Sequence, residues 1–184
     1  MQPSGNRNPA VFLDRDGVLN QSLVREGKPY SPRKVEDLII IDGVKEAVSL
    51  FHKKGFVTVV VTNQPDVARG HLSSEVLSEL HKLISEEIGV QYFYTCKHDD
   101  YENCECRKPK IGLIKKASEE LCLDVSKSFM IGDRWKDIEA GQRAGCQCFF
   151  IDNNYSEQRP SLPFYTVTSL LEAARVITEG VNAK

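Results

Sequence analysis

The chain has 184 residues, with 24 Lys and Arg against 26 Asp and Glu, for a net charge of -2. That length favours one domain with room for a full core, and the balanced charge, with no basic stripe, disfavours nucleic acid as the main partner. No run of about 18 apolar residues is present, so no helical membrane span is expected.

Residues 1–8 are polar, carry Pro3 and Gly5, and lack the apolar stretch of a secretory signal. They read as a flexible tail ahead of a single domain over 9–184, in a chain expected to be cytoplasmic. In a reducing compartment the six cysteines are metal ligands or buried thiols rather than a disulfide framework. The apolar run ending in Val11–Leu13 is the first expected strand. Leu38–Ile41 reads as a short extended piece. Val44–Lys54 is an expected helix, with Val44, Ala47, Val48 and Phe51 on one face and Gly55 closing it. Phe56–Thr62, nearly all apolar, suits a central parallel strand buried on both faces. Ser73 or Ser74 caps a helix to about Ile88, ended by Gly89. Tyr92–Cys96 is a third core strand and Ile111–Leu123 a helix. Phe129–Ile131 is a strand, Trp135–Ala144 a helix, Cys148–Ile151 the final core strand and Thr168–Thr178 a terminal helix. Strands alternating with helices predict an α/β architecture, a central parallel sheet flanked by helices.

The chemistry collects at strand ends, where open α/β sheets bind ligands. Asp14-Arg15-Asp16-Gly17 follows the first strand. In a straight strand Asp14 and Asp16 would share a face, and two adjacent carboxylates need a compensating cation or proton. Mg²⁺ is the natural compensator, since it takes oxygen ligands and commonly one or two carboxylates. Thr62-Asn63-Gln64 ends the second core strand, and its hydroxyl and amides can hold phosphate oxygens. Lys108-Pro109 precedes a helix, and a lysine is a point charge suited to a phosphoryl oxygen. Gly132-Asp133 ends a later strand, with Asp137 one helical turn on; Asp133 is a candidate N-cap as well as a metal ligand.

Together the segments DRDGVLN, VVVTNQ, RKP and IGDRWKD, in this order, resemble the haloacid dehalogenase (HAD) superfamily of phosphohydrolases, from about Val11 to Ile151. The resemblance implies a Rossmann-like HAD fold. It implies Asp14 as a nucleophile forming an aspartyl-phosphate, Asp16 as general acid/base, and Thr62 and Lys108 steadying the phosphoryl group. It also implies catalytic Mg²⁺ on Asp14, the backbone carbonyl of Asp16, and Asp133, with Asp137 supporting it from behind. The acid/base role calls for surroundings that raise the pKa of Asp16.

Cys96-Lys97-His98 and, five residues on, Cys104-Glu105-Cys106 offer three thiolates and an imidazole within 11 residues. That is the ligand set of a closed, structural Zn²⁺ site. The intervening loop is acidic and could not order itself by burial, so metal would order it and fix Arg107 and Lys108 beside it. Cys122, Cys146 and Cys148 read as small core residues. The Cys/His loop is similar to the HAD branch containing heptose-1,7-bisphosphate 7-phosphatases and histidinol-phosphate phosphatases. Asn20 and Ala68-Arg69-Gly70 look like the heptose enzymes. The short gap between His98 and Cys104 is similar to the histidinol-phosphate enzymes, and Pro65-Asp66 stands where many heptose enzymes have Ser-Gly.

By this resemblance Asn20, Asn63, Gln64 and Arg107 contact substrate, and Arg69 and Arg134 reach a second phosphate. The implied substrate is a phosphorylated sugar, heptose 1,7-bisphosphate losing its 7-phosphate on the way to nucleotide-activated heptose. Histidinol phosphate is the alternative, with Asp66, Asp99 and Asp100 facing its ammonium. Only 47 residues separate Asp14 from Thr62, and 45 separate Thr62 from Lys108. No large cap domain fits, and the site should be covered by the loops Gln21–Pro32, Asp66–Leu72 and the zinc loop. A monomer is expected, since no long exposed apolar patch is evident.

Overall fold

The computed structural model describes residues 7–180. The first six positions of the tail expected over 1–8 lie outside the described residues. Its last residue is exposed but paired through its backbone: Asn8 bridges to Leu123, and its carbonyl accepts from Asp124 N at 2.9 Å.

The chain runs β1 (Ala10–Leu13), β2 (Leu23–Arg25), β3 (Lys28–Tyr30), α1 (Val44–Lys53), β4 (Val57–Asn63), α2 (Ser74–Ile88) and β5 (Tyr92–Cys96). It continues through α3 (Gly112–Glu120), β6 (Phe129–Gly132), α4 (Trp135–Ala144), β7 (Gln147–Ile151), β8 (Tyr165–Val167) and α5 (Leu170–Glu179). Six strands form one sheet, in the order β5-β4-β1-β6-β7-β8, with every pairing parallel. Strand order grows to one side of β1 and then to the other. The switch point therefore falls between β1 and β6, where ligand crevices open in such sheets.

Alternation along the strands builds two cores. Val11 and Leu13 of β1 and Val60 of β4 face α1 and α5, meeting Val48, Phe51, Leu170 and Ala174. Phe12, Val59 and Val61 face the other layer, meeting Leu113, Ile114 and Ile138 from α3 and α4. This two-sided burial is why the β4 segment is apolar without alternation. Each fully buried Val, Leu, Ile or Phe contributes roughly 1.5–3 kcal/mol. Ser73, not Ser74, caps α2, accepting from Val76 N.

Several elements differ from expectation. Leu38–Ile41 forms no strand; Ile40 makes one bridge to Asn20. α3 stops at Glu120, because Cys122 turns into the left-handed region at φ 51°. Cys122 is consequently exposed rather than core, whereas Cys146 and Cys148 are buried. β5 is an edge strand, half-buried for most of its length, and β8 adds a further edge that the sequence did not announce. Within the expected covering loop 21–32, β2 and β3 pair as an antiparallel hairpin. Its turn residues Glu26 and Gly27 both have positive φ, the geometry that matches hairpin twist. Between Asp14 and Thr62 the only elements besides α1 and the start of β4 are this hairpin and one 3-10 turn at Val35–Asp37. Among the described residues no helix is long and apolar enough to cross a membrane.

Candidate active site

β1 and β6 lie side by side, and the residues leaving them meet: Asp14 N donates to Ile131 O at 3.0 Å. One oxygen from each of Asp14, Asp133 and Asp137 falls within 4.8 Å of the others, and all three residues are buried. Lys108 Nζ sits between two of them, 2.8 Å from Asp14 Oδ1 and 2.6 Å from Asp137 Oδ1, and is itself only 2% exposed. Asn63, at the end of β4, fixes Lys108 through its backbone: Asn63 Nδ2 donates to Lys108 O, and Lys108 N donates to Asn63 Oδ1, both at 3.1 Å. Arg134, not Asp133, is the N-cap of α4, and Asp137 Oδ2 accepts from Arg134 N at 3.0 Å. Asp137 thus closes the helix end with one oxygen and meets Lys108 with the other.

Burial is the main force on these carboxylates. It lifts Asp14 to about 6, against the pull of Lys108 and with a further push from Asp137 and Asp16. Burial, with Asp14 and Asp137 nearby, drives Asp133 well above the usual carboxylate range. Burial also disfavours the Lys108 ammonium, but Asp137 and Asp14 outweigh it and hold its pKa above the ordinary value. Three carboxylates against one ammonium leave an anionic pocket, and Asp133 Oδ1 is buried without a hydrogen-bond partner. A hard cation fits that donor set. Gly17, at φ +81°, makes room for the Asp133 carboxylate: a Cβ there would lie 1.7 Å from Asp133 Oδ2.

Asp14 and Asp16 do not share a face as a straight strand would have placed them. β1 ends at Leu13, and the Asp16 carboxylate lies in a separate network. Arg15, 1% exposed, donates from Nε at 3.0 Å and Nη2 at 2.8 Å to Asp16 Oδ1. Asn20 Nδ2 (3.0 Å), Ser31 Oγ (2.7 Å) and Gln64 Nε2 (2.8 Å) also donate to Asp16. Burial would raise the Asp16 pKa, but Arg15 and these hydrogen bonds together hold it below its ordinary value. This is the reverse of the raised pKa expected for an acid, and its cause is the forked Arg15 contact. Asn20 and Gln64 are fully buried, and both amides are engaged by Asp16. Gln64 also donates to Thr62 Oγ1 at 2.9 Å. Behind Arg15, Nη1 donates to His81 Nε2 at 3.3 Å. Burial and Arg15 press His81 down to about 3, which keeps it neutral.

Cys96, His98, Cys104 and Cys106 converge. Cys96 Sγ lies 3.6 Å from both His98 Nδ1 and Cys104 Sγ; His98 Nδ1 is 3.2 Å from Cys106 Sγ, and the Cys104 and Cys106 sulfurs are 3.4 Å apart. The four groups form a cluster able to hold a metal ion. Its span is stiffened at Asp99, which caps the short turn Asp100–Glu102.

Asp14, Asp16, Ser22, Ser31, Asn63, Lys108, Lys136 and Asp137 line the inner cleft, and Arg134 borders it. A wider outer cleft adjoins it, reaching Lys28, Arg69 and Arg107. The expected substrate arginines are all in ion pairs: Arg69 forks onto Asp99 with both contacts at 2.6 Å, Arg107 meets Asp100 at 2.6 Å, and Arg134 forks onto Glu157. Sequence reasoning missed Ser31, Lys136, Asn153 and Tyr155. Ser31 and Lys136 sit next to elements already singled out, but Asn153 and Tyr155 lie in a polar stretch without periodicity.

A HAD-hydrolase-like family model matches residues 105–173. The D-glycero-beta-D-manno-heptose-1,7-bisphosphate 7-phosphatase of Haemophilus influenzae is 36% identical over 145 residues, covering 73% of this chain and 76% of that protein. The D-glycero-alpha-D-manno-heptose-1,7-bisphosphate 7-phosphatase of Campylobacter jejuni is 33% identical over 157 residues, covering 83% of this chain and 87% of its own length. The crystal structure of D,D-heptose 1,7-bisphosphate phosphatase from B. bronchiseptica, complexed with magnesium and phosphate, superposes with a TM-score of 0.79 at 22% identity. That match spans 94% of this chain and 99% of the other.

Proposed function

This chain belongs to the HAD superfamily of phosphatases and is related to the heptose-1,7-bisphosphate 7-phosphatases, and on that premise we propose that it hydrolyses the 7-phosphate of a D-glycero-D-manno-heptose 1,7-bisphosphate. The observation that carries the chemistry is the buried Lys108 bridging Asp14 and Asp137 beside the unpartnered oxygen of Asp133. In this reading Asp14, Asp133 and the backbone carbonyl of Asp16 hold Mg²⁺, with Asp137 alongside. Mg²⁺ supplies the positive charge that lets a carboxylate approach a phosphate.

Asp14 attacks phosphorus, the bond from phosphorus to the 7-oxygen of the sugar breaks to leave an aspartyl-phosphate, and water then hydrolyses it to inorganic phosphate and free Asp14. Lys108 and Thr62 steady the phosphoryl oxygens as charge spreads over them. Asp16, ionised as found, is in the form that takes a proton from the attacking water. The proton it takes there is the one it gives to the leaving alkoxide of the next turnover. Cys96, His98, Cys104 and Cys106 are read as a structural Zn²⁺ site. Bonds of about 2.3 Å to sulfur in a tetrahedron imply edges of roughly 3.7 Å, close to the spacings among these atoms. With four protein ligands a zinc ion there would have no open position for water and would hold the loop rather than react.

The outer cleft favours a doubly anionic sugar over a cationic amino alcohol. It is lined by Lys28, Arg69, Arg107, Arg134 and Lys136 against Asp66, Asp100 and Glu157. Asp66 pairs with Arg33 at 2.7 Å, Asp99 with Arg69 and Asp100 with Arg107, each at 2.6 Å; these pairs engage cations and carboxylates alike, and the five cations against three carboxylates in the lining are what favour an anion. Phosphate release from α- and β-heptose 1,7-bisphosphate and from histidinol phosphate, compared as kcat/KM, tests this. Higher kcat/KM for histidinol phosphate would overturn the sugar assignment.

A further inference from the structure

The polar stretch after β7, residues 152–159, runs back over the acidic cluster. Asn153 Nδ2 donates to Asp133 Oδ2 at 3.1 Å and to the Gly17 carbonyl at 3.0 Å. It also lies 3.2 Å from the Tyr155 hydroxyl. On the same carboxylate, Asp133 Oδ1 is buried and has no partner. A carboxylate pinned at one oxygen cannot rotate freely, so its other oxygen keeps one direction. One oxygen of this carboxylate falls in the group formed with Asp14 and Asp137, and Oδ1 is the one left without a hydrogen-bond partner.

We propose that Asn153 is a positioning residue for the divalent cation: by holding Asp133 Oδ2 it aims Asp133 Oδ1 at the metal and sets the affinity for Mg²⁺. The proposal rests on reading the acidic cluster as the Mg²⁺ site. Partners that hydrogen-bond a ligating group orient it, and their loss typically costs 10–100-fold in metal affinity. The residue type matters. An amide donates to Asp133 without adding a negative charge to a pocket that already holds three carboxylates. The loop does not depend on Asn153 for its path. Ser156 N donates to Gly27 O at 2.8 Å, and Glu157 pairs with Arg134. Asn153 is exposed on its outer side, so truncating it opens no cavity in the core.

The test is Mg²⁺ binding by isothermal titration calorimetry to the wild-type protein, to Asn153→Ala and to Arg159→Ala, a change on the same loop away from Asp133. Asn153→Ala should bind Mg²⁺ about tenfold more weakly. The Mg²⁺ concentration for half-maximal activity should rise by the same factor, with kcat at saturating Mg²⁺ near wild type. Its melting temperature without Mg²⁺ should stay within about 2 °C of wild type, as for other surface changes, and Arg159→Ala should bind like wild type. If wild type takes up no Mg²⁺, the metal-site reading itself fails. If wild type binds and Asn153→Ala binds equally well, the site stands and the role of Asn153 is refuted. Equal weakening by Arg159→Ala would show that the loop, and not the amide of Asn153, is responsible.

Discussion

Lys108→Met removes one positive charge from between two carboxylates at 2.8 and 2.6 Å while nearly preserving side-chain volume. Lys108 and both acids are buried, so solvent screening discounts little. Breaking such a pair from one side costs about 3–5 kcal/mol, or roughly 10 °C in melting temperature for a domain of this size. The loss should be seen with a chelator present at pH 8 and should shrink toward pH 5. The sign follows from Asp14. Its folded pKa, about 6, lies above the reference value of 3.8, so between these values the folded state binds more protons than the unfolded state. Stability therefore falls as pH rises through 6. Without Lys108 the Asp14 pKa climbs further, and the variant is penalised most where its carboxylates must ionise. Added Mg²⁺ should restore much of the stability, because a cation replaces a cation, yet kcat should stay about 10²–10³-fold down for want of a donor to the phosphoryl group. Thermal melts across pH, with and without Mg²⁺, and a phosphate-release assay measure both. A variant as stable as wild type at pH 8 in chelator, or with kcat within tenfold, would refute the bridging role.

Asp14→Asn should abolish phosphate release and leave no acid-stable phosphoprotein after rapid quench; turnover near wild type would remove the covalent route. Stripping the Cys/His cluster and assaying in excess Mg²⁺ should lower both the melting temperature and kcat, because Cys106 is two residues from Lys108; full activity in a zinc-free protein would refute the mechanical role. Gly17→Ala would set a Cβ 1.7 Å from Asp133 Oδ2 at φ +81°. The backbone strain alone costs about 1 kcal/mol, and titration should show weakened Mg²⁺ binding.

The central strands β1, β4, β6 and β7 were legible because they are largely buried and leave nearly unbroken apolar runs, and the candidate site was legible because Asp14, Thr62, Lys108 and Asp133 sit at strand ends or precede a helix on one side of that sheet. Period-two reasoning failed just past Leu13, where the strand stops and Arg15 draws Asp16 aside. Helical spacing placed Asp133 and Asp137 on one side but could not say that Asp137 would serve both the helix end and Lys108. The hairpin escaped because three-residue strands carry too little pattern, and Asn153 because a polar loop has no period at all. The arginines were found as residues but not as ion pairs, since partners such as Glu157 are distant in sequence.

None of the hairpin residues of β2 and β3 belongs to either hydrophobic core; Val24 is 58% exposed. The hairpin is tied down by the Ser31 contact to Asp16 at 2.7 Å and the Ser156 contact to Gly27 at 2.8 Å. The hairpin wall of the outer cleft is therefore separate from the cores that keep the protein folded. Changes in the hairpin can reshape that wall at little cost to the fold, so long as Ser31 keeps its hold on Asp16.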